Sequence, residues 1–265
     1  MLLSGKRIVI MGGSGAIGTA MAKAFAVEGA KVYLGARGSH GLAAAAEAVR
    51  STGGIAEAFS VDCLDEDATR RAVEALAERL DEIDVAINAT SFMHDQGTFI
   101  DGLDLDTFMS PIDNFLRSLF NSTKAVVPYM GKSRQGVILT LSTPAGRAAT
   151  PGHLGYSVTC AGVEAFSRVL AAELGMRNIR VVCLGPHAIS DAPQAGSYTA
   201  ELFAPKAEAM GLSVEQWLGG GAQSTLLGRL PTLDDVAQTA AFLVSDKARS
   251  MTAAYVNLTA GMIPD

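Results

Sequence analysis

Short apolar runs alternate with longer amphipathic stretches along most of the chain. Seven of the runs have the length and composition of buried strands, namely RIVIM, KVYLG, EAFSVD, VAIN, GVILTLS, RVVCLG and AAYVNL. The stretches between them, such as AIGTAMAKAFAVEG and DEDATRRAVEALAERL, are rich in alanine and carry charges at helical spacing. Runs that are apolar on both faces indicate a parallel sheet between two layers of helices. The pattern therefore predicts an α/β fold with a seven-stranded, mostly parallel, doubly wound sheet.

No internal repeat or linker interrupts this alternation, so we expect residues 1–265 to form one domain. The longest irregular region runs from residue 188 to residue 227, where the sequences APQAGS and LGGGAQS flank a short helix. Long segments of this kind often close over a ligand, and we call residues 188–227 the lid segment. Its large side chains Phe203, Met210 and Trp217 are candidates for substrate contacts.

The charge balance narrows the range of partners. Lys and Arg number 21 against 27 Asp and Glu, so the formal charge is −6. Nucleic acids and anionic membranes require clustered basic residues, and without a dense basic run we expect neither partner. Cys63, Cys160 and Cys183 lie far apart without CxxC spacing, which favours reduced thiols and no metal site. Without a secretory signal pattern or a membrane-spanning apolar stretch, we expect a cytoplasmic protein.

The first candidate for chemistry is the glycine-rich turn in IVIMGGSGAIG, between the first predicted strand and the first predicted helix. Gly13, Gly15 and Gly18 satisfy the pattern GxGxxG, and Gly12 and Ala16 extend it in a second register. Backbone amides at such a turn, together with the helix N-terminus, favour a pyrophosphate, and small residues allow close approach. The alternative is an ordinary glycine-rich turn. The position of this glycine-rich turn in the first βαβ unit favours dinucleotide binding over that alternative.

The end of the second predicted strand bears on the choice of dinucleotide. Ala36 stands where a carboxylate would bind the ribose 2′-hydroxyl of NAD, and Arg37 follows it. A guanidinium can pair with a 2′-phosphate, which a carboxylate would repel. The sequence therefore favours NADP(H) over NAD(H), the alternative being that Arg37 is only a solvated charge.

Six segments of the chain, in this order, resemble landmarks of the short-chain dehydrogenase/reductase family. They are MGGSGAIG, VDCLDED, INATS, LTLSTPAG, YSVTCAGVEAFSRVLAAELGMRNIRVVCLGP and LGRLPTLDDVAQTAAFLVSD, and together they extend over nearly the whole chain. The resemblance implies a Rossmann-like fold and an oxidoreductase that interconverts a CH–OH and a C=O group of a small molecule. It also implies a homodimer or homotetramer, with the helices around residues 113–130 and 156–174 at the interface.

The resemblance also implies a set of residues that bind the cofactor. These are Gly12, Ser14, Gly15, Ile17, Gly18, Arg37, Asp62, Cys63, Asn88, Ala89, Pro186 and Ile189. Asp62 and Cys63 would lie near the adenine, and Asn88 and Ala89 near a ribose. Each has a structural alternative, since Asp62 could cap a helix and Asn88 could tie strand ends together.

In the family a Tyr transfers the substrate proton, a Ser orients the carbonyl group and an Asn on an earlier helix completes a proton relay. Tyr156 matches the Tyr. The Ser position falls on Thr143, which keeps a hydroxyl, with Ser142 adjacent. The Asn position falls on Phe115, with Asn114 one residue away. The resemblance thus implies a catalytic set of Tyr156, Thr143, Ser142 and Asn114.

Cys160 stands at the position where the family has a Lys that lowers the pKa of the catalytic Tyr. Tyr156 and Cys160 are separated by one helical turn and share a face, but a neutral thiol supplies no positive charge. A protonated phenol can act as a general acid in carbonyl reduction, whereas alcohol oxidation needs the phenolate. We therefore expect NADPH-dependent reduction of a carbonyl substrate, with an unshifted Tyr156 pKa of about 10.

Two other interpretations of the altered site remain open. The protein could be a catalytically impaired NAD(P)-binding scaffold or sensor, because fold alone does not confer activity. Alternatively, Cys160 could be a nucleophile or redox sensor, although a buried thiol is the more common role of such a residue. If the lost cation is replaced, the candidates are His187, His153 and His94, since imidazoles titrate near neutrality.

Overall fold

The computed structural model describes residues 1–264, which form seven strands and eight α-helices. The strands are β1 (Arg7–Met11), β2 (Lys31–Ala36), β3 (Ile55–Ser60), β4 (Val85–Asn88), β5 (Gly136–Leu141), β6 (Ile179–Pro186) and β7 (Ala254–Leu258). The helices are α1 (Ala16–Val27), α2 (Ser39–Arg50), α3 (Glu66–Leu80), α4 (Leu105–Val126), α5 (Leu154–Leu174), α6 (Thr199–Ala209), α7 (Val214–Ala222) and α8 (Leu233–Val244). All seven predicted strands are present, and β3 begins two residues earlier than its predicted run.

The seven strands form one sheet in the order β3-β2-β1-β4-β5-β6-β7, with every neighbouring pair parallel. The winding reverses between β1 and β4, where Met11 lies beside Asn88. In doubly wound sheets, ligands bind in the crevice outside the carboxyl ends of the strands at this reversal. The predicted fold class is confirmed, and the topology places the glycine-rich turn at that crevice.

Two apolar layers cover the two faces of the sheet. Ile8 and Ile10 of β1 belong to the layer formed with α1, α2 and α8. Val9 and Met11 of the same strand belong to the layer formed with α3, α4 and α5. Successive side chains of a strand point to opposite faces, so each central strand must be apolar at nearly every position. This is why the strands were readable from the sequence as unbroken apolar runs.

An ion-pair cluster ties the amino ends of β1 and β4 together, opposite the crevice. Arg7 Nε lies 2.8 Å from Asp84 Oδ2, and Arg7 Nη2 lies 3.2 Å from Glu82 Oε2. Glu82 also accepts hydrogen bonds from the amides of Lys132 and Ser133 and from the Ser133 hydroxyl. Burial alone would raise the pKa of Glu82, but these hydrogen bonds outweigh it and lower the pKa to about 2.

The lid segment contains two helices, α6 and α7, where the sequence indicated one short helix. Leu202, Phe203 and Leu218 of these helices pack with Leu230 in a separate small apolar cluster. Met210, the third candidate for a substrate contact, is 65% exposed at the end of α6 and is not among the described residues that line the cavity beside the lid segment. Among residues 1–264, no helix combines the length and the hydrophobicity needed to cross a lipid bilayer.

Candidate active site

A cavity of about 420 Å³ lies between the carboxyl edge of the sheet and the lid segment. Nine of the residues predicted to form the site line it: Gly15, Ile17, Asn88, Ala89, Ser142, Thr143, Tyr156, Pro186 and Ile189. The lid segment contributes Tyr198, Phe203, Lys206 and Trp217 to the opposite wall. The sequence motifs and the lid segment therefore meet at one site.

The glycine-rich turn is shaped by close backbone contacts. Gly12 has a φ of +81°, and a Cβ atom there would collide with the carbonyl group of Ala89. A Cβ atom at Gly18 would collide with the carbonyl oxygen of Gly12. Helix α1 begins at Ala16 with no side-chain cap, and Gly15 and Ala16 line the cavity. An uncapped helix N-terminus at a turn made of three glycines and Ser14 fits the pyrophosphate of a dinucleotide.

The residues predicted to lie near the adenine end are outside the cavity lining formed by residues 1–264. Arg37 is exposed after β2, and its guanidinium carbon lies 5.9 Å from the centroid of the Phe92 ring. Within that described part of the chain, no carboxylate lies within 4 Å of the Arg37 guanidinium. Asp62 accepts a 3.0 Å hydrogen bond from the amide of Leu64, and thus shapes the turn before α3. Arg37 is therefore placed to meet an anionic group.

Asn88 holds the end of β4 against α4. Its side-chain amide donates to the Ser118 carbonyl and to the Ser122 hydroxyl at 3.3 Å, and its oxygen accepts from Thr90 at 2.8 Å. Asn88 therefore ties the end of β4 to its neighbours, as its structural alternative predicted, and it also lines the cavity. On α4, Phe115 lines the cavity, whereas Asn114 is outside the lining formed by residues 1–264. The structure thus does not bring Asn114 to the phenol.

The hydroxyl of Thr143, rather than that of Ser142, faces the Tyr156 phenol. The Thr143 Oγ1 lies 3.3 Å from the Cys160 Sγ, and it lowers the pKa of the neighbouring Tyr156 phenol through a hydrogen bond. The Ser142 hydroxyl instead donates to the Cys160 carbonyl at 3.3 Å and to Glu164 at 3.1 Å. Ser142 therefore ties β5 to α5, and Thr143 occupies the place expected for the family Ser.

Burial raises the pKa of Tyr156 well above its usual value. The neighbouring Cys160 and Tyr198 side chains raise that pKa further, and the Thr143 hydroxyl only partly opposes them. The expectation of an unshifted pKa for Tyr156 was therefore too low, because it ignored desolvation. Cys160 is only 3% exposed, and burial also raises the pKa of its thiol. Both groups are protonated at neutral pH, which disfavours Cys160 as a nucleophile.

The ring of His94 stacks on the ring of Tyr156, with centroids 4.0 Å apart and planes inclined by 13°. His94 Nδ1 lies 2.9 Å from the Phe92 carbonyl oxygen, so it must donate to it. The Gln96 amide nitrogen lies 3.0 Å from His94 Nε2, which must then accept. These contacts fix His94 as a neutral imidazole that covers one face of the phenol.

The three histidines considered as replacement cations all lie at the site. His153 and His187 line the cavity, and His94 lies against the phenol. Burial lowers the pKa of each of them from a value already below neutrality. His187 also accepts a 2.6 Å hydrogen bond from the Ala188 amide at Nδ1. Burial therefore disfavours the charged form of all three histidines, although His153 places its Nδ1 3.0 Å from the Pro151 carbonyl oxygen and its Nε2 3.1 Å from Gln96 Oε1, two acceptors that favour protonation.

A lysine of the lid segment, which sequence reasoning missed, supplies a charge to the cavity instead. Lys206 Nζ lies 3.0 Å from Gln96 Oε1 and 3.4 Å from His153 Nε2. Among the described residues that line the cavity, Lys206 is the one side chain of the Lys, Arg, Asp and Glu types. The available signal was that residues 188–227 contain one Lys and no Arg.

Comparisons with known proteins agree with this architecture. Residues 12–263 match a family model described as enoyl-(acyl carrier protein) reductase. The chain is 31% identical over 262 residues to the 3-oxoacyl-[acyl-carrier-protein] reductase FabG of Chlamydia trachomatis serovar D, covering 98% of each. It is 29% identical to the FabG of Thermotoga maritima, covering 99% of this chain and 100% of that protein.

The fold is also that of a solved short-chain type dehydrogenase/reductase from Mycobacterium ulcerans. The TM-score is 0.85 at 23% identity, covering 99% of this chain and 91% of the other. The family match, the relatives and the arrangement of Gly15, Thr143 and Tyr156 around one cavity agree with each other. This chain belongs to the short-chain dehydrogenase/reductase family of oxidoreductases.

Proposed function

We propose that the protein is an NADPH-dependent reductase that converts a small carbonyl compound into an alcohol, with Tyr156 as general acid. The observation that carries this proposal is the phenol of Tyr156, which lines the cavity beside Thr143 and is held protonated by burial. A general acid must carry its proton before the reaction. The direction of the pKa shift therefore favours reduction over oxidation.

The residues around the glycine-rich turn fit the dinucleotide. Gly12, Gly15 and Gly18 place no side chains at the uncapped N-terminus of α1, where the pyrophosphate would bind. Arg37 would pair with the 2′-phosphate, since its guanidinium is exposed and the preceding Ala36 carries no repelling charge. Asn88, Ala89, Pro186 and Ile189 line the part of the cavity next to that turn. When bound, NADPH supplies the hydride.

The proton steps use the side chains next to the reacting carbonyl group. The Thr143 hydroxyl donates a hydrogen bond to the carbonyl oxygen and so orients it. The Tyr156 hydroxyl delivers its proton to the same oxygen as the carbonyl carbon is reduced. The phenolate left on Tyr156 has no ammonium at residue 160 to stabilise it, so reprotonation follows readily. Oxidation of the alcohol would need that unfavourable phenolate at the start.

The named relatives indicate where a substrate search should begin. Both FabG relatives are named as reductases of 3-oxoacyl groups, so we include 3-oxoacyl compounds in the first panel. The apolar side chains of Phe115, Phe203 and Trp217 in the cavity wall favour a substrate with an apolar body.

The direct test is titration of the pure protein with NADPH and with NADH, followed by a carbonyl panel and the matching alcohols. We expect tighter binding of NADPH and faster reduction than oxidation at neutral pH. Tyr156→Phe is the matched control, because it removes the proton donor and keeps the ring stacked on His94. Oxidation faster than reduction at neutral pH, or turnover that survives Tyr156→Phe, would contradict the proposal.

A catalytically impaired NADPH-binding scaffold is the second candidate. The raised pKa of Tyr156, the buried thiol of Cys160 and the phenyl ring of Phe115 at the relay position favour it. NADPH binding without turnover on any carbonyl compound, together with activity gained in Cys160→Lys, would support this function over the reductase.

We also propose that the protein is a homodimer or homotetramer, assembled through α4 and α5. These helices expose several large apolar side chains, namely Leu105, Phe120, Leu154, Val158 and Val169. Large apolar side chains exposed on two helices that pack together are typical of interaction surfaces. Light scattering after size-exclusion chromatography should give two or four times the mass of 27.4 kDa, and a monomer would exclude the proposal.

A further inference from the structure

The ammonium of Lys206 has hydrogen-bond partners but no counter-ion. Its two close contacts, to Gln96 Oε1 at 3.0 Å and to His153 Nε2 at 3.4 Å, are to side chains without negative charge. Across residues 1–264, no carboxylate lies within 4 Å of its Nζ. An ammonium has three N–H donors, so one remains for a ligand in the cavity.

The carboxylate of Asp95, whose charge acts on Lys206, is held by other hydrogen bonds. It accepts from the Thr98 hydroxyl at 2.8 Å and from the Thr98 amide at 3.3 Å. Burial lowers the pKa of Lys206, and the more distant charge of Asp95 partly opposes this. A half-buried charge without a counter-ion destabilises the fold. A neutral residue would therefore be more stable at this position unless an anion binds there.

The surroundings of Lys206 indicate what kind of anion fits. Its Nζ lies 5.9 Å from the centroid of the Trp217 ring, and Leu202 and Phe203 line the cavity on the same helix. With a single cation and neutral neighbours, the position suits a compact monoanion better than a phosphate, which takes several basic groups. The glycine-rich turn and Arg37, which fit the phosphates of the dinucleotide, belong to other elements of the fold.

We propose that Lys206, oriented by Gln96 and His153, binds a free carboxylate of the substrate, which is an oxo acid with an apolar body. The reduction of its oxo group rests on the proposed function, but the carboxylate subsite does not. The contacts Tyr156 to His94, His94 to Gln96 and Gln96 to Lys206 are 4.0, 3.0 and 3.0 Å. Tyr156, Gln96 and Lys206 all line the cavity, so the acid and the anion subsite open into the same space.

Trp217 provides a readout that needs neither cofactor nor turnover. It is the only Trp in the sequence, and it lies in the cavity next to Lys206. The wild-type protein is titrated with saturated straight-chain monocarboxylates and with their methyl esters, and Trp217 fluorescence is followed. A charged hydrogen bond contributes about tenfold to hundredfold in affinity, so each acid should bind about that much more tightly than its ester.

Substitutions of Lys206 test whether its positive charge causes the preference for acid over ester. Lys206→Met should remove the preference for acid over ester, and Lys206→Arg should keep it. Lys206→Gln serves if the Met variant does not fold, as judged by circular dichroism. Lys23→Met is the matched control, because Lys23 is an exposed lysine on α1, away from the cavity. The proposal is overturned if wild type binds ester as tightly as acid, or if Lys206→Met retains the preference.

A parallel assay separates this proposal from the proposed function. Oxo acids and their methyl esters are compared as substrates with NADPH, and Lys206→Met should raise KM for the acids about tenfold to hundredfold with little change in kcat. Reduction of neutral ketones without any acid preference in the fluorescence titration would overturn the subsite and leave the reductase standing. Acid binding without NADPH binding would overturn the reductase and support the subsite.

Discussion

Cys160→Lys returns an ammonium to the helical turn after Tyr156, and its effect tests the electrostatic account of the site. The thiol it replaces lies on the same face of α5 as the phenol and 3.3 Å from the Thr143 hydroxyl. In the wild type, burial and the neighbouring Cys160 and Tyr198 raise the pKa of Tyr156. The substitution replaces the Cys160 thiol, which raises the pKa of Tyr156, with an ammonium that lowers it.

The magnitude follows from Coulomb's law. An ammonium about 4 Å from the phenolate favours it by about 4 kcal/mol at an effective dielectric constant of about 20. This corresponds to a decrease of about three units in the pKa of Tyr156, or about a thousandfold more phenolate at a given pH. Because alcohol oxidation requires the phenolate, its rate near neutral pH should rise by up to this factor. Carbonyl reduction should rise as well, because no variant can change the overall equilibrium and a phenol of lower pKa is the stronger proton donor.

The assay is the pH dependence of oxidation and of reduction for the wild type, Cys160→Lys and Cys160→Met. The Met variant lengthens the side chain without adding charge, so it controls for packing at a position that is only 3% exposed. We expect the reduction rate of the wild type to stay constant to a pH above about 10, the usual Tyr pKa. In Cys160→Lys the reduction rate should begin to decline at a lower pH. An unchanged oxidation rate in a folded Cys160→Lys, or an equal gain in Cys160→Met, would refute this reasoning.

Three further predictions concern the cofactor site and the stability of the fold. Arg37→Gln should weaken NADPH binding by about tenfold to hundredfold and leave NADH binding unchanged. If titration shows that both affinities fall equally, Arg37 does not bind the 2′-phosphate. Gly18→Ala should abolish NADPH binding while the circular dichroism stays folded, because its Cβ would push on the Gly12 carbonyl; normal binding would contradict this. The pKa of Glu82 falls from about 4.5 to about 2 on folding, so its ionised form contributes roughly 3 kcal/mol. That contribution is complete above about pH 4.5 and is lost as the pH falls towards 2. Urea unfolding of Glu82→Gln should therefore show a lower free energy of unfolding at neutral pH than the wild type. Its free energy of unfolding should also fall less steeply as the pH is lowered. Parallel plots of this free energy against pH for both proteins would contradict the prediction.

The fold was predictable because its signals are local. A central strand such as β1 must alternate apolar residues between two buried faces, so Ile8, Val9 and Ile10 form one unbroken run in the sequence. The glycine-rich turn was equally readable, since its steric requirement at Gly12 excludes any side chain.

The chemistry of the site was less predictable, because it depends on contacts between distant parts of the chain. Tyr156 and Cys160 are close in sequence, but the shift in the Tyr156 pKa arises from burial, including the ring of His94, 62 residues away. Lys206 reaches the cavity only because α6 folds over Gln96, 110 residues earlier. A shift of one residue in the register of α4, which no motif specifies, decides whether Asn114 or Phe115 faces the cavity.

The imidazole stacked on Tyr156 has a stereochemical consequence. With centroids 4.0 Å apart, the two rings leave no room for a substrate between them. A ketone reduced as proposed would therefore reach the phenol from its uncovered side. We expect the alcohol formed from an unsymmetrical ketone to be a single enantiomer, and His94→Ala to erode that purity.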